Sequence, residues 1–95
     1  MSGHALRVEF YGVARAHTGR DAVVLEVPEG ATLGDALERL AAVEPMLLGA
    51  VIAEGGRRLS SGSVASIDGK RFVSDPAERL PENLPLLLLP ATAGG

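Results

Sequence analysis

The 95-residue chain has no cysteine, which excludes a disulfide framework, a thiolate nucleophile and any cysteine-held zinc or iron–sulfur centre. The cytoplasm is therefore its expected location. Aromatic residues number three, Phe10, Tyr11 and Phe72, so a core has to be assembled mainly from Leu, Val and Ala. Long apolar runs are also missing. The longest, Leu84 to Ala91, falls far short of the roughly 20 residues a membrane-spanning helix needs, and Met1-Ser2-Gly3-His4-Ala5 lacks the cationic-then-apolar order of a secretory signal. A soluble protein without a membrane partner is expected. Positive charge is in deficit as well, with nine basic against twelve acidic residues and a formal charge of -3. The densest basic spot, Arg57-Arg58, sits in a Gly/Ser-rich segment without an aromatic platform, so these are read as solvated loop charges and no nucleic-acid partner is assigned.

What is present is enough for one small domain, since a hydrophobic fraction of 46% is ordinary for a folded globule. Leu6, Val8 and Phe10 alternate with Arg7, Glu9 and Tyr11, the period-2 signature of a strand with one buried face. A glycine-centred turn over His17 to Asp21 leads into a Val/Leu-rich run from Ala22 to Val27, so the first two strands read as a hairpin. Thr32 and Asp35 have the spacing of a capping box, and Leu33, Ala36, Leu37, Leu40 and Ala41 recur at helical spacing until Pro45 ends the run. This is the only long helix expected. Met46 to Ile52 reads as a helical turn or, over Ala50 to Ala53, a short strand, and Glu54 to Gly62 as a mobile loop. Asp68-Gly69 suits the tight turn of a hairpin between Val64–Ile67 and Arg71–Val73. Ala77 to Leu80 could form one helical turn, and Leu86 to Leu89, apolar on both faces, belongs in the middle of a sheet. The expected class is α+β, with a mixed sheet of four to five strands and one main helix packed on one face.

The chemistry concentrates at the end of the chain. A segment Pro90-Ala91-Thr92-Ala93-Gly94-Gly95 follows the last strand, and glycine usage of 12 in 95 makes a terminal glycine pair roughly a 2% event by chance. The bland reading is a frayed terminus. The functional reading is that a dipeptide without side chains threads a narrow channel and brings its carboxylate to an ATP α-phosphate without steric conflict. A carboxylate becomes an acyl donor once adenylated, and an acyl-adenylate can accept sulfur to give a thiocarboxylate, a nucleophile that needs no cysteine. ATP belongs to the activating partner, because the single lysine, Lys70, follows Gly69 without the rest of a phosphate-binding loop. His4 and His17 stand far apart and read as surface residues, while Glu38, Glu44, Asp75, Glu78 and Glu82 read as solvated charges. No cofactor or metal site is assigned to this chain.

The segments Val8-Glu9-Phe10-Tyr11-Gly12-Val13-Ala14-Arg15 with Thr18-Gly19-Arg20, Val27 to Leu37, Ser66-Ile67-Asp68-Gly69 and Leu88 to Gly95 together resemble the MoaD/ThiS family of ubiquitin-like, β-grasp sulfur carriers. The likeness spans nearly the whole chain and implies a β-grasp domain over residues 1–89 with a flexible diglycine tail over 90–95. It implies that Gly95, with Gly94 before it, is the reacting end: adenylated by a ubiquitin-activating-type adenylyltransferase, loaded by a sulfur donor enzyme, and used to deliver sulfide to an acceptor. The molybdopterin branch fits the first strand best, and in it the carrier is the small subunit of molybdopterin synthase, with its tail inserted into the large subunit. Partner contacts would then fall on Tyr11, Phe72 and Leu89 of the uncovered sheet face and on Pro90, Ala91, Thr92 and Ala93 of the tail. Two features depart from the pattern: Pro81-Glu82-Asn83-Leu84-Pro85 replaces the usual Gly-Asp pair, and the loop from Glu54 to Ser63 is long. The ending also resembles carriers that feed cysteine synthesis, so a cysteine-synthase-like acceptor is an alternative, as is conjugation of Gly95 to a lysine of another protein.

Overall fold

The computed structural model describes residues 3–91. Along the chain run β1 (Gly3–Phe10), α1 (Val13–Thr18), β2 (Ala22–Pro28), α2 (Leu33–Val43), a 3-10 turn (Pro45–Leu47), β3 (Ser63–Ile67), β4 (Arg71–Val73) and β5 (Leu86–Pro90). The five strands form one mixed sheet in the order β2-β1-β5-β3-β4. β1 and β2 are antiparallel over the whole register from Gly3 opposite Pro28 to Glu9 opposite Ala22, β3 pairs antiparallel with both β4 and β5, and β1 and β5 are parallel.

The alternation in β1 decides which way the sheet faces. Leu6, Val8 and Phe10 are buried together with Leu25 and Val27 of β2, Ala65 and Ile67 of β3, Val73 of β4 and Leu86 and Leu88 of β5. Against this face lie Leu33, Ala36, Leu37 and Leu40, the apolar stripe of α2, so one continuous core forms between helix and sheet. The helix begins as its sequence dictates. Thr32 Oγ1 accepts from the Asp35 amide at 3.1 Å, and Asp35 Oδ2 accepts from the Thr32 amide at 3.0 Å, a reciprocal capping box. Asp68 and Gly69 both adopt positive φ, 56° and 72°, at the tip of the β3–β4 hairpin, as a tight turn there requires. β5 occupies the centre of the sheet, as its apolar character on both faces anticipates, and extends one residue further, through Pro90.

Four features differ from the sequence expectations. The β1–β2 connection carries a helical turn, α1, in place of a simple glycine turn, and Gly19 in the left-handed conformation closes it at φ 70°. Residues 76–79 form a turn and bridge without helix, with Glu78 N–H donating to Asp75 O and Thr32 bridged to Arg79. The loop after Glu54 is tied down: Arg57 donates to Glu38 Oε1 at 2.9 Å and to Asp35 Oδ1 at 3.2 Å, so this guanidinium is not simply a solvated loop charge. It lies over Gly34, where a methyl group would meet Arg57 Nη2 at 2.8 Å. Glu44, expected on the surface, is 4% exposed because the chain turns inward at the end of α2, and its carboxylate pairs with Arg20 at 3.3 Å. Among the described residues no helix is long and apolar enough to cross a membrane.

Candidate functional site

The candidate site is built where β5 ends. The parallel pairing of β5 with β1 runs through Phe10 opposite Leu88 and is continued by the Tyr11 amide, which donates to Leu88 O at 3.1 Å. On the other side Pro90 lies opposite Ser63 in the β3 register, and the Ala91 amide donates to Gly62 O at 2.9 Å. The last described residue is thus hydrogen-bonded to the loop that precedes β3. β1, meanwhile, turns sharply at Gly12, whose φ of 60° and ψ of -124° match the first central position of a type II′ turn, a conformation nearly confined to glycine.

The face opposite α2 presents the predicted docking residues. Aligned across β4, β3, β5, β1 and β2 are Phe72, Ser66, Leu87, Glu9 and Ala22, and next to that row Val64 stands opposite Leu89. Phe72 is 70% exposed and Tyr11 40%, whereas Leu89 is half-buried. Tyr11 and Leu89 come together at the tail root, where they pack with Val13, Ser63 and Pro90 around a gap too small to admit water. Phe72 does not join them. It sits three strand positions from β1, about 14 Å away at ordinary strand spacing, and lines a groove of about 220 Å³ with Arg58, Leu59, Ser63, Val64 and Pro76, of which Ser63 is shared with the tail root. Pro90 and Ala91 are at the root itself, and Thr92, Ala93, Gly94 and Gly95 lie outside the described residues.

A polar chain crosses the outer side of β1. Tyr11 Oη donates to Glu9 Oε1 at 2.7 Å and Arg7 Nε donates to Glu9 Oε2 at 3.0 Å. The Tyr11 hydrogen bond, followed by that from Arg7, lowers the Glu9 carboxyl below its ordinary value, and the same bond to Glu9 raises the Tyr11 phenol. The phenol is thereby oriented along the outer side of β1. Sequence parity identified Tyr11 as outward-facing, but it missed Glu9, Arg7, Gly12 and Gly62 as parts of this region. The visible signal was the shared parity of Arg7, Glu9 and Tyr11. Of the two histidines, His17 Nδ1 lies 3.1 Å from Val13 O, and His4 is half-buried with Nδ1 3.9 Å from Glu82. They are not brought together.

No family model matches the chain, and no curated protein matches it in sequence. Solved structures do match its shape. SAMP1 (small archaeal modifier protein 1) from Haloferax volcanii aligns with a TM-score of 0.80 at 24% identity, over 97% of this chain and 100% of that one. A protein from Pyrococcus furiosus described as a candidate molybdopterin converting factor, subunit 1, aligns at 0.65 and 23% identity over 90% and 95% of the two chains. A chain of the BexX/CysO complex of Amycolatopsis orientalis aligns at 0.67 and 19% identity over 95% and 99%. These likenesses establish the fold: this is a ubiquitin-like β-grasp protein, and the resemblance to MoaD/ThiS-like proteins read in its sequence holds at the level of architecture.

Proposed function

We propose that this chain is a sulfur carrier whose Gly95 carboxylate is adenylated by an ATP-dependent, ubiquitin-activating-type adenylyltransferase. A sulfide equivalent from a sulfur donor enzyme then displaces AMP, leaving a C-terminal thiocarboxylate that donates sulfur in molybdopterin synthesis. In that setting the chain is the small subunit of molybdopterin synthase, a sulfur-donating co-substrate, with its tail entering the large subunit and ATP bound by the activating partner. The observation that carries this reading is the root of the tail: the segment ending in Gly94-Gly95 leaves the central strand of a β-grasp sheet beside an uncovered face bearing Tyr11 and Leu89. The match to a molybdopterin-converting subunit supports the pterin branch, and the match to a chain of the BexX/CysO complex supports sulfur carriage to another acceptor, such as a cysteine-synthase-like enzyme.

The experiment is mass spectrometry of the chain after incubation with the cognate activating enzyme, ATP and a sulfur donor. Exchange of oxygen for sulfur adds about 16 Da to the full-length chain, and removal of Gly95 abolishes the gain. Equal gain by the truncated chain rejects the tail as the site. A second reading, transfer of Gly95 to lysine amines, is favoured by the high structural similarity to a protein named as a modifier. Isopeptide remnants on cellular proteins without free thiocarboxylate would select it.

A further inference from the structure

Gly12 and Gly62 come from loops 50 residues apart in sequence, yet both close on the two residues from which the tail departs. A methyl group built on Gly12 would stand 2.8 Å from Pro90 Cγ, 3.0 Å from Cδ and 3.4 Å from Cβ. The obstructing atoms belong to a rigid pyrrolidine ring carried on the central strand, so they cannot swing aside as a flexible side chain would. Gly12 is further committed by its φ of 60° and ψ of -124°. From the opposite side the Gly62 carbonyl accepts the Ala91 amide at 2.9 Å. Pro90, whose own φ is fixed by its ring, is therefore packed against a glycine surface, and the next residue, Ala91, is held by a backbone hydrogen bond.

We propose that Gly12 and Gly62 form a collar that aims the tail, which makes Gly12 a positioning residue for the chemistry at Gly95 and makes residues 92–95 a ruler of fixed origin. Four residues beyond Ala91 extend at most about 14 Å. The activating partner must then seat its entrance on the collar and hold its nucleotide α-phosphate within that distance. This inference rests on the sulfur-carrier reading for its chemistry, but the collar itself is testable without it.

Three measurements separate the two. Amide hydrogen exchange on the full chain should find Ala91 protected in the native protein and unprotected in Gly12→Ala, with the Leu88 amide protected in both. An unprotected Ala91 in the native chain overturns the collar whatever the function. In ATP–pyrophosphate exchange with the cognate activating enzyme, Gly12→Ala should lower kcat about a hundredfold, the scale of a 1 Å misplacement of a reacting group, and should raise KM by less than that, because Phe72 and most of the outer sheet face stay in place while only the tail root shifts. Pro90→Ala in the same chain removes Cγ and Cδ, and the double variant should recover at least a tenth of the lost kcat. Deletion of Ala93, which leaves the folded part intact, shortens the reach by about 3.5 Å and should lower kcat comparably. This variant keeps the inference falsifiable should Gly12→Ala fail to fold. Native kcat in the Ala93 deletion or in a folded Gly12→Ala chain overturns the positioning role. An unaltered chain that supports no exchange at all, with Ala91 protected, overturns the sulfur-carrier reading and leaves the collar standing.

Discussion

Tyr11 is the only tyrosine in the chain, so its phenol can be titrated by ultraviolet absorbance without overlap. Its O–H donates to Glu9, and that bond is the leading cause of its raised pKa, as it is of the lowered pKa of Glu9. The signs differ for the two partners. Glu9 contributes stability that is present above its unfolded pKa and lost as pH falls through its lower folded value; Tyr11 contributes stability present below the ordinary phenol value near 10 and lost as pH rises through its raised one. Both groups are solvent-accessible, so screening keeps the energy small and the titration is the better readout. Tyr11 should titrate above an ordinary phenol, and Glu9→Gln should bring the midpoint back down; an unchanged midpoint would show that the bond is not maintained in solution. Strand parity made the face of Tyr11 legible in the sequence. The hydrogen bond was not, because side-chain direction within a face depends on rotamers that alternation does not specify.

At the scale of elements, what could be read was what is encoded locally. Thr32 and Asp35 carry the α2 start, and Thr32→Ala should cost about 1 kcal/mol of unfolding free energy, the usual worth of an N-cap, measured by urea denaturation near neutral pH. The Thr32 amide bond to Asp35, the leading cause, lowers the Asp35 pKa, so the contribution of this carboxylate is present above its unfolded value and lost as pH falls through the folded one. The difference between Asp35→Ala and the unaltered chain should accordingly shrink in acid, and a difference constant down to pH 2 would show that the titrating carboxylate is not what stabilises the helix start. α1 was illegible for the converse reason: six residues span fewer than two turns, Gly12 supplies no side-chain cap, and only Ala14 is buried, so no periodicity develops. The anchoring of the loop by Arg57 and the burial of Glu44 against Arg20 join residues 19 or more positions apart, which composition within a window does not register.

For the molecule as a whole, the central place of β5 was legible because Leu86 to Leu89 are apolar on both faces, but its parallel union with β1 was not, since that pairing depends on how every other element closes the sheet. It is this union that brings Pro90 against Gly12 and puts the tail root beside Tyr11 and Leu89, while Phe72 is left at the far edge on β4. The three sheet-face residues that the family resemblance implies for docking therefore fall in two places, Tyr11 and Leu89 at the tail root and Phe72 on the edge strand. Phe72 is 70% exposed, so its removal costs the isolated fold little buried area, whereas an aromatic ring desolvated in an interface commonly accounts for more than 1 kcal/mol of binding. Phe72→Ser should leave the thermal midpoint of the free chain within about 2 °C, a shift corresponding to less than 0.5 kcal/mol at this size. It should weaken association with the activating enzyme at least about fivefold, measured by calorimetry with the tail intact. Unchanged affinity would mean that partners engage only the tail root, and that the exposed ring on β4 serves no docking function for that enzyme.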